Sequence, residues 1–317
     1  MTHKDKGDLY MLFERKGDWL LLKIPFQWEG LSIEAFFSQI LLASKKQIHL
    51  SKMEKKVQVN NQNVPWNTLL KQEDILKIKL FQQEPNDIIP TYMDLSILYE
   101  DDFLLVVNKP DGIDTHPHSP EDASALLNGV AYHLLMNGEE RQLKHIHRLD
   151  RDTTGCILFA KHDLVANMLD YMLRERKIKR TYIALVQGFL SQKKGIINKP
   201  IGKDRHHSSR RRISETGQNA ITHFKRINRL PNKGLTLISC TLDTGRTHQI
   251  RVHLSSIHHP LAGDTLYGGK TIFHRQALHA VKIQFIHPIS GEEITVFAPP
   301  MDSPPIFPDD DWEELLK

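Results

Sequence analysis

Apolar and polar positions change rhythm several times along the chain, and each change marks an element. Residues 20–24 form an apolar run of strand length. Over residues 31–42 the period becomes helical, with Leu31, Ala35, Phe36, Ile40 and Leu41 on one side. A basic stretch follows, with Lys45, Lys46, Lys52, Lys55 and Lys56. Residues 57–59 and 75–80 then alternate like strands, with a turn-rich stretch at 60–63. Residues 82–95 are polar, carry two prolines and predict a linker. Beyond it, strand-like runs at 103–108, 155–160, 182–186, 235–241, 281–285 and 294–297 outnumber helices. The clearest helix covers 164–176, with Leu164, Met168, Tyr171 and Met172 on one side. The order is too irregular for a doubly wound sheet. It predicts an α+β fold around a mixed, mostly antiparallel sheet. The expected organisation is a small α/β unit at 1–81, a linker at 82–95, a main domain at 96–300 and an acidic tail at 301–317, of which the stretch DDDWEELLK at 309–317 is expected to fray.

Composition narrows the class. The 317 residues are 40% hydrophobic, enough for a sizeable core. No run approaches the roughly 18 apolar residues of a membrane helix, so no membrane association is expected. The first ten residues lack the apolar run of a secretory signal. Cys156 and Cys240 lie far apart and read as buried thiols of a reducing compartment, which makes the cytoplasm the expected location. The net charge is +4, and residues 88–300 hold 28 basic against 21 acidic residues. That excess suits a polyanionic partner such as RNA, although surface scatter produces similar excesses.

The densest polar segment is 145–155, where eight polar or charged residues and a glycine precede an apolar strand. Core packing does not account for such a loop. It offers two carboxylates, Asp150 and Asp152, flanked by Arg148 and Arg151, and an adjacent arginine favours the ionised form needed in a nucleophile or base. Residue chemistry alone does not choose between them. Thr153 and Thr154 can fix the loop by hydroxyl hydrogen bonds, and Gly155 permits a backbone turn. Arg251 alternates with Ile250 and Val252 as a strand arginine would, either exposed or paired with a buried acid. Tyr182 lies in a strand-like run, where an ordinary core tyrosine is the plain alternative. Among the 18 histidines, His145 with His147 and His248 with His253 match no common zinc spacing, so no metal is expected. Two basic clusters remain. Lys177 and Arg180 belong to the first, at the end of the clear helix, where cations also suit the helix dipole. Lys203, Arg205, Arg210, Arg211 and Arg212 crowd a Ser/His-rich loop, read as a mobile phosphate-contacting loop.

At this point a resemblance becomes specific. HRLDRDTTG at 147–155 is similar to the HRLD signature of the RluA-type pseudouridine synthases. Five further segments resemble that family in the same order: 103–116, 180–188, 244–253, 258–267 and 275–280. Thr154 stands where the family usually has serine, and Asp114 and Thr115 stand where it often has apolar residues. The region 57–80 resembles the second half of the S4 RNA-binding module, with Asn60-Asn61 and Glu73-Asp74 replacing its usual turn residues and lysines replacing its arginines.

The resemblance implies an RNA isomerase that converts uridine to pseudouridine without cofactor or metal, acting as a monomer on structured RNA. Ribosomal RNA is favoured and transfer RNA remains open. Asp150 matches the family's catalytic aspartate, acting either on the ribosyl C1′ or on the C2′ proton. Arg251 matches the basic residue paired with it, and Tyr182 the active-site tyrosine. Leu278, Arg246 and His248 fall at substrate-facing positions, and Arg148 at the arginine that fills the gap left by an extruded base. Arg210, Arg211, Arg212, Lys177 and Arg180 are the expected RNA contacts. A non-catalytic RNA-binding or ribosome-assembly protein on the same fold is the competing reading. A full set of Asp150, Tyr182 and Arg251 argues against it.

Overall fold

The computed structural model describes residues 12–84, 87–308 and 310–316. The first eleven residues of the expected N-terminal unit, residues 85 and 86 of the linker, and residues 309 and 317 of the tail lie outside them.

The chain begins with β1 (Phe13–Lys16) and β2 (Trp19–Lys23), then α1 (Ile33–Gln39), α2 (Lys45–Met53), β3 (Val57–Val59) and β4 (Ile75–Lys79). The strands form a sheet in the order β1-β2-β4-β3. Alternation sets its buried face: Leu20, Leu22, Val57, Val59, Leu76 and Ile78 point inward against Phe36 and Phe37 of α1. Both helices start on serine caps, Ser32 for α1 and Ser44, with Gln47 completing a capping box, for α2. The basic stretch is thus largely helical. Lys52 pairs with Glu34 at 2.7 Å and Lys56 with Glu84 at 2.7 Å, whereas Lys45, Lys46 and Lys55 are exposed.

The rest of the chain continues with β5 (Ser96–Glu100), β6 (Leu104–Lys109), α3 (Leu126–Met136), β7 (Lys144–His145), β8 (Thr154–Ala160), α4 (Asp163–Arg174) and β9 (Lys179–Gln187). After them come β10 (Lys194–Asn198), β11 (Ile201–Lys203), β12 (Arg211–Ile213), β13 (Ile221–Leu230), β14 (Leu235–Leu242), α5 (Gln249–Ser255), β15 (Leu278–Ile286), β16 (Glu293–Phe297) and α6 (Trp312–Leu315). Ten of these strands make one sheet, ordered β10-β13-β14-β9-β15-β8-β6-β5, with β16 beside β15 and β7 beside β8. Only the β15–β8 pairing is parallel among the described residues, so the sheet is mixed and mostly antiparallel, as the sequence pattern predicts.

Residues 104–109, 154–160, 181–186 and 235–240 of the central strands are buried without interruption because both faces are covered. Leu104 and Val106 of β6, with Cys156 and Leu158 of β8, pack with α4 and the N-terminal sheet. Leu105, Val107, Ile157 and Phe159 pack with α3 on the other face. Tyr182 and Leu278 belong to this second face, and it is here that the sheet opens into a cleft.

The N-terminal sheet is docked on the large one. Phe81 and Phe13 lie 5.6 and 5.4 Å from Phe103, and Arg15 pairs with Asp102. The segment read as a linker runs along α3, where Thr91 N–H donates to the Asn128 carbonyl and Tyr92 meets Tyr132 edge-on.

Three expectations are corrected. Arg251 is not on a strand: it lies in α5, whose residues 249–254 are all buried, so no polar face reveals the helical period. The basic loop at 203–212 is the β11–β12 hairpin, paired from Ile201↔Ile213 to Lys203↔Arg211. The acidic tail does not fray along its described length. Ile306, Phe307 and Trp312 are buried against Leu185, Leu237 and Val281, and Asp302 makes two 2.7 Å bonds to the buried Arg275. Apolar residues spaced among the acids give the tail enough buried surface to dock.

Candidate active site

The loop between β7 and β8, which carries Asp150, is fixed from both sides. Thr115 Oγ1 donates to the Leu149 carbonyl and accepts the Leu149 N–H, both at 3.1 Å. Lys109 is fully buried, and its Nζ donates to the carbonyls of Pro110, Ile113 and Arg151 at 2.7–2.8 Å. Burial pulls its pKa down to about 8, against the opposing charge of Asp152 and its neighbours. Beyond the loop, the Thr154 hydroxyl accepts from Arg275 and sits 2.7 Å from His279 Nδ1. Arg275 also donates to the carbonyl of Asp152, so the docked tail braces this loop through Asp302. Gly155 runs at φ 111°, and a Cβ there would collide with the Ala280 backbone, so glycine is required where the loop enters β8.

Asp150 emerges from this frame into the cleft; Asp152 does not line it. Its Oδ2 accepts from Arg251 Nη1 at 3.0 Å, and His248 Nε2 lies 3.8 Å away. Arg251 is only 7% exposed and also grips Asp264, Nε to Oδ2 at 2.7 Å and Nη2 to Oδ1 at 2.9 Å. Burial disfavours that guanidinium charge, but the hydrogen bonds to Asp264 and the charge of Asp150 more than offset it, so its pKa is raised. The fork on Asp264 aims the remaining nitrogen at Asp150. α5, which carries Arg251, is tied to the sheet by Gln249, whose amide donates to Ile221 O and Thr222 Oγ1.

The cleft measures about 550 Å³, within the usual range for small-molecule sites. Buried Tyr182, Leu149, Ile250 and Leu278 line its apolar part. Burial raises the Tyr182 pKa, so the phenol keeps its proton at neutral pH. Exposed Arg148, Arg174, Arg176 and Arg246 also line it, with half-buried Arg180 among them. Arg148 donates to Thr247 Oγ1 at 2.9 Å. The arrangement thus combines one carboxylate on a buried counter-ion, a flat apolar surface beside it and a cationic rim suited to phosphates.

Comparison with known proteins decides the family. Residues 103–256 match the RNA pseudouridylate synthase family, and residues 20–76 match the RluD ribosomal pseudouridine synthase N-terminal domain. The uncharacterized RNA pseudouridine synthase YhcT of Bacillus subtilis (strain 168) is 45% identical over 286 residues, covering 90% of this chain and 95% of that protein. The chain belongs to the RNA pseudouridine synthase family. Ribosomal large subunit pseudouridine synthase D of Neisseria meningitidis serogroup A is 35% identical over 294 residues, 88% of this chain and 78% of that one. Among solved structures, human RNA pseudouridylate synthase domain containing 1 superposes with a TM-score of 0.55 at 25% identity, over 69% of this chain and 86% of that one.

In this synthase the cleft brings together Asp150, Tyr182, Arg251, Arg148, Leu278, Arg246, His248 and Arg180. Lys177 stands apart, exposed and 5.7 Å from the Tyr171 ring. Arg210, Arg211 and Arg212 do not line the cleft, but the Arg211 N–H donates at 2.8 Å to the Tyr267 hydroxyl, which lies 2.8 Å from Nδ1 of the lining residue His248. Sequence reasoning missed Asp264, Tyr267, Lys109 and Arg275. All four lie inside the matched segments, so the resemblance marked them without distinguishing a role.

Buried histidines, one of them at the docked N-terminal sheet, set a pH limit. Burial pushes His279 down to about 4, His162 to about 3 and His147 well below its ordinary value. The unfolded chain binds these protons near pH 6.5, whereas the folded chain binds them only much lower. Stability is therefore full above pH 6.5 and falls on acidification through the window down to about 4. Denaturant melts at pH 7 and 5.5 are expected to differ by roughly 3 kcal/mol. Equal stability at the two pH values would contradict these assignments.

Proposed function

We propose that this synthase isomerises selected uridines of ribosomal RNA to pseudouridine, with Asp150 as the catalytic carboxylate. The observation that carries the reading is Asp150 held at 3.0 Å by the buried Arg251, in a cleft that also contains Tyr182 and Leu278. The target nucleotide leaves its stack, at a cost of about a few kcal/mol, and its uracil lies against Tyr182 and Leu278. Exposed Arg148 is placed to fill the gap left in the RNA.

Asp150 acts either on C1′ or on the C2′ proton, so that the N1–C1′ bond breaks. Arg251 donates to the carboxylate before and after this step and balances its charge. The freed uracil turns on the flat surface of the pocket. C5 then bonds to C1′, the C5 hydrogen leaves and N1 gains one. Substrate and product are isomers, so the chemistry calls for no cofactor, redox partner or metal. Tyr182, protonated at neutral pH, is placed to donate its O–H to the uracil as charge shifts between its atoms. Arg246 and His248 meet the nucleotide, while Arg180, Lys177 and the β11–β12 arginines, Arg210, Arg211 and Arg212, contact phosphates.

The preference for ribosomal RNA draws on the relatives named ribosomal large subunit pseudouridine synthase D and on the match of residues 20–76. Exposed Lys45, Lys46 and Lys55 suit an S4-like RNA contact by the N-terminal unit. Action as a monomer in the cytoplasm completes the reading, and the unpaired Cys156 and Cys240 fit a reducing compartment. A pseudouridine map of total RNA from cells with and without the gene tests it. Loss of one or a few ribosomal RNA sites is expected. Loss confined to transfer RNA would overturn the substrate assignment, and no loss in any RNA would favour the non-catalytic binder.

A further inference from the structure

Tyr267 has no part in the reading above, yet it touches three parts of the site at once. Its ring is 5% exposed and within cation–π range of two guanidiniums, Arg251 at 5.1 Å and Arg210 at 5.6 Å. Its hydroxyl accepts the Arg211 N–H of β12 at 2.8 Å and lies 2.8 Å from His248 Nδ1. The other nitrogen of His248 faces Asp150 Oδ2 at 3.8 Å.

Donor counting fixes the imidazole hydrogen. A tyrosine hydroxyl has one hydrogen to give. Its oxygen already receives the Arg211 N–H. If His248 also donated from Nδ1, the phenolic hydrogen would have no acceptor among the described residues, and a buried unpaired donor is costly. The satisfied arrangement runs one way: Arg211 N–H to Tyr267, Tyr267 O–H to His248 Nδ1, and His248 Nε2–H toward Asp150. Burial lowers the His248 pKa, with the Asp150 charge opposing and the Arg251 charge adding, which suits the neutral ring that this chain of bonds requires. His248 also holds a left-handed backbone at φ 58°, a conformation that persists only where surrounding contacts over-determine it.

We propose that Tyr267 is a positioning residue for the reaction: its hydroxyl fixes His248 in the Nε2–H tautomer, aims that N–H at Asp150, and ties this geometry to the basic hairpin at Arg211. The inference rests on Asp150 as the catalytic carboxylate. A closure of under about one ångström brings Nε2–H into hydrogen-bond range of Asp150, as catalytic contacts commonly tighten once substrate is bound. RNA seated on Arg210 and Arg211 then bears directly on the residue that orients His248.

Tyr267→Phe keeps the ring between its arginines and removes only the hydroxyl. Nitrogen-15 NMR of histidine-labelled full-length protein, with the His248 signals identified by their loss in His248→Gln, is expected to show the Nε2–H tautomer in the wild type and a tautomer mixture in Tyr267→Phe. The same variant is expected to lose roughly tenfold in kcat with little change in KM. His248→Gln, whose amide N–H stands near the Nε2 position, is expected to retain more activity than His248→Ala. An Nδ1–H tautomer in the wild type would overturn the proposal, as would a Tyr267→Phe enzyme with unchanged kcat. Asp150→Asn assayed alongside separates the two claims: turnover by that variant removes the site assignment, whereas the tautomer measurement reports on Tyr267 alone.

Discussion

Asp150→Asn is expected to lower single-turnover pseudouridine formation by about 10⁴-fold or more, equivalent to at least about 5.5 kcal/mol of transition-state stabilisation. The amide keeps the shape of the side chain and removes the negative charge on which action at the sugar depends. Folding is expected to survive, because Asp150 is partly exposed and the loop around it is held by other groups. Thr115 brackets Leu149, and Lys109 holds the carbonyl of Arg151. Arg251 keeps both hydrogen bonds to Asp264. Affinity for RNA is expected to stay within a few-fold, since phosphate contacts come from the rim arginines. Asp152→Asn, by contrast, is expected to leave turnover nearly intact, because Asp152 does not line the cleft.

The second large effect concerns Asp264, which is 1% exposed and makes a two-point contact with Arg251. Asp264→Ala strips a buried guanidinium of its two-point partner and leaves it only the single contact to the partly exposed Asp150, and breaking such a buried pair typically costs about 3–5 kcal/mol. For a chain of this size that corresponds to a fall of roughly 5–10 °C in melting temperature. Activity is expected to fall as well, because the fork that aims Nη1 at Asp150 is gone. The paired replacement Arg251→Met with Asp264→Leu is expected to recover most of the stability and none of the activity, since it removes the stranded charge together with the counter-ion. Calorimetry and single-turnover assays on both variants check this. A double variant less stable than Asp264→Ala would contradict the account.

Those two carboxylates illustrate what the sequence reveals and what it conceals. Asp150 was legible because its segment crowds charge and hydroxyls into a loop ahead of an apolar strand, a composition that no core requires. The central strands were legible for the opposite reason: burial on both faces gives β6, β8 and β9 apolar runs at 104–107, 156–160 and 182–186. Asp264 is a lone carboxylate in a turn, and its role exists only because α5 places Arg251 beside it. α5 itself was misread as a strand. All of residues 249–254 are buried, so Ile250, Arg251 and Val252 present an alternation that carries no helical period. The β11–β12 hairpin was concealed by the polar residues that join its two three-residue strands. In the tail, six acids outnumber the three apolar side chains that dock it, and the buried Asp302–Arg275 pair spans 27 residues. Tertiary partners, rather than local patterns, supply the missing information in each case.

The central claim is that this cleft moves uracil from N1 to C5 linkage at Asp150. Because C5 becomes bonded to C1′, its hydrogen must leave. Ribosomal RNA transcribed with C5-tritiated uridine and incubated with the purified protein therefore reports the reaction as tritium released to water. The account predicts release by the wild type equal to the pseudouridine formed, and none above background by Asp150→Asn. Release by Asp150→Asn at the wild-type rate would contradict it.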